Sequence, residues 1–188
     1  MNGTVVIDGV LSAHNLNTSS FSDGWGTIVS TGTLDIGGSQ IEVQNTYMLP
    51  RSDGFIKILT KVTNKSASVI ENVRYWVGTQ DDFLDGSDSP TKERGNIADG
   101  EFTPISSASV RAGAIKIYNY RTCAFFFSSS DRANTSIYNT YSYFGSVISQ
   151  NPASSPILST GDQSYSMYVR MNDLSPDESD EFIWYYAA

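Results

Sequence analysis

The sequence predicts an all-β fold, an antiparallel β-sandwich whose long loops bind metal and ligand. Three observations predict it. Helical periodicity is almost absent along the 188 residues. Short runs of β-branched and aromatic residues recur between clusters of Gly, Asn, Asp, Ser and Pro. In FIKILTKV, Ile56, Ile58 and Val62 fall on one face and Lys57 and Lys61 on the other, the period-2 alternation of a half-buried antiparallel strand.

In chain order the expected strands are Thr4–Ile7, Thr27–Leu34, Gln40–Met48 and Phe55–Val62, each a run of β-branched or aromatic residues stopped by turn formers. Asn64 and the serines of TNKSAS form a turn, because their side chains hydrogen-bond nearby backbone, and a hairpin returns along Glu71–Val77. Ala114–Tyr120, Ala124–Phe127, Tyr165–Met171 and Glu181–Tyr186 complete the set. Ile56, Ile58, Val62, Val73, Trp76, Phe182 and Trp184 are the expected core. Residues 8–26, 78–109 and 128–163 read as long loops, which in compact domains are usually functional or disordered. The third is serine-rich and carries no charge cluster. Asp8, Asp23, Asp35 and Asp53 sit beside or near Gly as turn residues.

The length suits one domain spanning residues 1–188. The apolar ending EFIWYYAA, which would fray in water as a free terminus, predicts a monomeric module excised from a longer chain. A net charge of −8 and a pI near 4.5 supply no basic patch for nucleic acid or an anionic membrane. No stretch reaches the ~18 apolar residues a membrane helix needs, so no membrane insertion is expected. With one cysteine, Cys123 in the apolar run CAFFFS, no internal disulfide forms and a buried thiol is expected. His14, the lone histidine, is expected on the surface. Those two counts exclude His-clustered zinc and most Cys/His nucleophile schemes.

Charge gathers in WVGTQDDFLDGSDSPTKERGN. From residue 81 to 101, seven carboxylates face two cations, five of the chain's eight net negative charges. Packed carboxylates repel, and a bound cation reverses that cost. Ca²⁺ takes ~6–8 oxygen ligands, and DDFLDGSD offers Asp side chains plus a Gly that lets backbone carbonyls bend in. Asp81, Asp82, Asp85 and Asp88 are therefore the candidate calcium ligands. The loop is no EF-hand: counted from Asp81, positions three and twelve are Phe83 and Lys92. In SPTKERGN, Ser89, Thr91, Arg94 and Asn96 are candidate ligand contacts, Arg94 because its planar fork suits a carboxylate. The equally acidic NDLSPDESDEF reads as a turn into the last strand.

QIEVQNTYML, FIKILTKVTNKS, NVRYWVGTQDD, DSPTKERGN and SDEFIWYYAA together resemble the ligand-binding domains of giant bacterial RTX adhesins, specifically their calcium-dependent peptide-binding domains. The resemblance implies a β-rich, non-enzymatic module on the bacterial cell surface. It implies several Ca²⁺ ions, one of which contacts the C-terminal carboxylate of a peptide or protein on another cell. Carried over, Asp81, Asp82, Asp85 and Asp88 hold calcium, with Ser89, Thr91, Arg94 and Asn96 near the ligand. Glycans are the alternative ligand. A spacer domain and a carbohydrate-active enzyme are the further alternatives, the latter needing two carboxyls ~5–5.5 or ~6.5–9.5 Å apart in different environments.

Overall fold

A computed structural model describes residues 10–79, 82–138 and 151–188. The described strands are β1 (Val10–Ser22), β2 (Trp25–Ile36), β3 (Ser39–Leu49), β4 (Phe55–Asn64), β5 (Arg74–Thr79), β6 (Thr91–Ala98) and β7 (Glu101–Pro104), then β8 (Ala114–Asn119), β9 (Thr122–Phe127), β10 (Ala133–Tyr138), β11 (Leu158–Thr160), β12 (Ser164–Arg170) and β13 (Ser179–Ala187). The described helical element is one 3-10 turn, Pro152–Ser154. The all-β, antiparallel expectation holds. The expected strand Thr4–Ile7, the turn residue Asp8 and the side chain of His14 lie outside the described residues.

The chain divides into two compact units, Met1–Val73 with Met171–Trp184, and Arg74–Arg170 with Tyr185–Ala188. In the first unit β1, β2, β3 and β4 form an antiparallel meander, and β13 lies beside β4. Two-residue turns make its first two corners, Asp23-Gly24 and Gly37-Gly38, each with both φ values positive. That is the turn whose twist matches the flanking strands, and Asp and Gly are the residues that tolerate it. The alternation in β4 turns Ile58, Thr60, Val62 and Asn64 inward against Phe182 and Trp184, while Lys61 stays in water. Buried polar atoms there are matched: the Trp184 indole N–H donates to Thr60 Oγ1 at 2.9 Å, and that hydroxyl donates to Asn45 Oδ1 at 2.6 Å. Of the expected core, Ile58, Val62, Phe182 and Trp184 are buried, while Ile56, Val73 and Trp76 are half-buried.

The expected hairpin between β4 and β5 does not form. Asn64 does end β4, its Oδ1 accepting from Ser66 N and its Nδ2 donating to the carbonyls of Ser68 and Leu174. The chain then runs to a bridge between Ile70 and Leu174, and β5 starts only at Arg74, pairing with β12 instead. An apolar run finds its partner by tertiary packing, which short spacing alone does not specify.

The second unit is a sandwich. One sheet runs β9, β8, β6, β11, with Tyr185–Ala187 of β13 on β9 and β7 on β6; the other runs β10, β12, β5. Ile115, Ile117, Ala124 and Phe126 meet Ile137, Tyr165, Met167 and Val169 between them, with the Phe126 and Tyr165 rings 5.7 Å apart. Here the three long loops are corrected. β1 occupies most of the first, β6 and β7 run through the second, and β10 and β11 through the third. β6 reads as polar because its inward residues are the buried cations Lys92 and Arg94, and β10 because Thr135, in the same period-2 set as Ala133 and Ile137, and Ser136, on the other face, are both buried. Cys123 is also corrected. Ala124 and Phe126 take the inward positions of β9, so Cys123, in the alternate period-2 set, is left with its thiol exposed.

Candidate metal and ligand site

At one end of the second unit, β5 ends at Thr79, and the next described residue is Asp82. Leu84 and Ser87 exchange backbone hydrogen bonds of 2.9 and 3.0 Å around Asp85-Gly86, whose φ values are 51° and 75°. This acidic stretch is thus a miniature hairpin with a two-residue turn of the kind that closes β1 on β2. Ser87 Oγ accepts from Ser89 N at 3.1 Å, Pro90 is buried, and β6 begins. A second loop, Gly161–Gln163 between β11 and β12, comes alongside. Thr91 and Thr160 join the two through their hydroxyls, 2.8 Å apart.

Between the loops Asp82, Asp88 and Asp162 bring one carboxylate oxygen each within 4.8 Å of one another, Asp82 buried and the other two exposed. Asp82 is held on both sides: Gln163 N donates to Oδ1 at 3.1 Å, and Oδ2 pairs with the ammonium of Lys92, both side chains fully buried. Lys92 Nζ also donates to Gly161 O at 2.6 Å. Burial pushes the Lys92 ammonium down to about 8, and the charge of Asp162 works the other way. The three carboxylates outnumber the one ammonium, so the cluster keeps a net negative charge. An all-oxygen donor set open to water on two of its three members suits a hard divalent cation, and the cluster can hold a metal ion.

The expected site residues divide sharply. Asp82 and Asp88 enter the cluster, and Asp81 lies outside the described residues. Asp85 sits at the exposed turn tip and supplies no oxygen to the cluster. Ser89 is exposed, bonded through its backbone, and Thr91 is tied to Thr160. Arg94 is fully buried: Nη1 donates to Ser155 O at 3.1 Å and Nη2 to Asn134 Oδ1 at 3.3 Å, and burial lowers its guanidinium to about 10. Its fork braces the segment that follows the 3-10 turn and does not face water. Asn96 is likewise spent on backbone, donating to Arg111 O and accepting from Gly113 N. The Gly95 between them is a packing requirement, since a Cβ there would meet Thr103 O at 2.4 Å. The member that sequence reasoning missed is Asp162, in the loop read as merely solvated. Its one local signal is the Gly-Asp pair.

Beside Asp82 opens a pocket of about 290 Å³. Ile117, Ala124 and Tyr165 are its buried walls, and Phe83, 69% exposed, and Tyr186, 39% exposed, stand at the solvent side. The hydroxyls of Tyr165 and Tyr186 lie 3.5 Å apart. Burial foremost, and then Tyr186, raise the Tyr165 phenol far above its ordinary value, so it stays protonated.

No family model and no curated protein matches this sequence. Among solved structures, a galactose mutarotase related enzyme from Lactobacillus acidophilus is similar over 94% of this chain and 71% of its own, at 8% identity and a TM-score of 0.37. That likeness is too slight to carry a function across. Among the described residues no helix is long and apolar enough to cross a membrane.

Proposed function

We propose that this chain is a non-enzymatic, calcium-dependent recognition module of a bacterial surface adhesin, working outside the cell. The observation that carries it is the convergence of Asp82, Asp88 and Asp162 from two loops onto one point. Calcium accepts irregular shells of several protein oxygens, whereas magnesium asks for near-ideal octahedral geometry and is usually held by one or two carboxylates, so three carboxylates brought together from two loops favour calcium.

Recognition of a peptide's C-terminal carboxylate drew on the Arg94 fork, which is buried and engaged with Ser155 and Asn134. A glycan asks for less, because vicinal hydroxyls are hard, neutral oxygen donors to the cation itself. The burial of Arg94 therefore favours the glycan reading over the peptide one. Melting the protein in calcium and in chelator tests the metal: the transition should rise with calcium, since a ligand bound only by the native state stabilises it. Identical melting temperatures would sink the proposal.

A further inference from the structure

We infer that the pocket beside Asp82 seats one neutral sugar ring of the ligand, with Phe83 as its exposed platform. This rests on the calcium reading above and adds the place and chemical class of what is bound.

Charge comes first. A divalent cation on the cluster would be balanced by the three carboxylates once Lys92 is counted, leaving no surplus positive charge to draw an anion. Arg94 does not compensate, because it is buried, and no arginine is among the residues that line the pocket. A carboxylate arriving here would shed its water without a counter-charge, a cost that neutral hydroxyls escape. Size comes next. The pocket lies at the small end of ligand sites and equals roughly ten liquid-water volumes, enough for one six-membered ring with its hydroxyls.

The lining matches such a ring. A pyranose has apolar C–H faces and hydroxylated edges. Ile117 and Ala124 offer an apolar wall, the Tyr165 and Tyr186 phenols offer hydrogen-bonding tips on aromatic bodies, and Asp82 ties the pocket to the cation. Phe83, 69% exposed on the hairpin segment between Asp82 and Asp88, stands at the solvent side of the pocket with its ring available to stack on such a face. Folding leaves it uncovered, and a sugar face would cover it.

The test uses the whole chain and two probes, calcium alone and a panel of methyl glycosides of the common neutral hexoses, read by calorimetry and saturation-transfer NMR. Calcium should bind by itself, and at least one glycoside should bind in calcium and not in chelator. Phe83→Ala should weaken that glycoside about tenfold, the worth of one lost aromatic face, with calcium affinity unchanged. Ala124→Leu should fill the pocket and abolish glycoside binding. Because Ala124 is buried, its fold is checked by circular dichroism, and Phe83→Ala decides if it misfolds. Glycoside binding indifferent to Phe83→Ala would overturn the pocket while sparing the calcium reading. Calcium binding with no glycoside bound, or with free-C-terminal peptides bound instead, would overturn the sugar. Absence of calcium binding would bring down the reading underneath.

Discussion

Two stretches carry nearly the same density of acid, residues 81–88 and residues 173–181, yet their carboxylates meet different fates. In the second stretch four of the acids each have a donor or cation of their own. Asp173 accepts from Asn72 N at 2.7 Å, Glu178 from Ser175 N at 2.9 Å, and Asp180 from Asn172 N at 2.8 Å and Glu181 N at 2.7 Å, while Asp177 lies 3.8 Å from Lys65. Glu178 and Asp180 thus hold N–H groups around the turn that leads into β13, Asp173 holds the backbone N–H of Asn72, and Asp177 faces the Lys65 ammonium. In the first stretch Asp82 is buried against Lys92, and Asp88 meets an acid from 74 residues further along the chain, Asp162. A count of acids does not separate the two cases. What separates them is whether nearby backbone N–H groups absorb the charge or a second loop adds to it.

The largest test of that contrast is Lys92→Met. Removing one partner of a buried ion pair typically costs ~3–5 kcal/mol, because the other charge is left uncompensated. The loss, measured by urea unfolding, should be full in chelator and visibly smaller in millimolar calcium, since the cation would then compensate Asp82. An equal loss in both conditions would separate Asp82 from the metal.

The next effect falls on the carboxylates. At about a hundredfold excess over its dissociation constant, calcium should stabilise the native chain by ~2.7 kcal/mol. Asp162→Asn should remove most of that gain, and Asp177→Asn none of it. If the two variants respond alike to calcium, the contrast between the stretches fails.

The ease of reading this chain followed the same division. β3, β4, β8 and β12 were legible because apolar or β-branched residues recur at most alternate positions of each, so the period shows in the letters. β6 was not, because Lys92 and Arg94 point inward and a strand with buried cations reads as a charged loop. Asp82 and Asp88 stood out by local density. Asp162 could not, since nothing in SQNPASSPILSTGDQ announces that β11 and β12 will carry it beside β6. The same misreading offered Arg94 and Asn96 as ligand contacts, when their side chains are structural ties between β6 and its neighbours.

A smaller effect belongs to the second stretch. Glu178→Ala removes the carboxylate that accepts from Ser175 N and should cost about 1 kcal/mol, as lost caps of this kind do. Calcium should neither deepen nor relieve that loss. A calcium-dependent cost would mean that this stretch also binds the ion.

The smallest effect is that of Asp85→Asn, at a residue that by sequence looks as good a ligand as Asp82. Its backbone sits at φ 51°, in the left-handed region that Asn and Asp enter most readily after Gly, and its side chain points from an exposed turn tip. Asp85→Asn keeps that preference and removes only charge, so stability should change by less than about 0.5 kcal/mol and calcium affinity hardly at all. Asp85→Ala keeps the position and loses the preference, so it should cost roughly 1–2 kcal/mol equally with and without calcium. The pair of variants therefore separates a turn role from a ligand role. A turn residue is sensitive to Ala and indifferent to Asn. A ligand would lose calcium affinity in both, and that result would move Asp85 from the hairpin tip into the metal's shell.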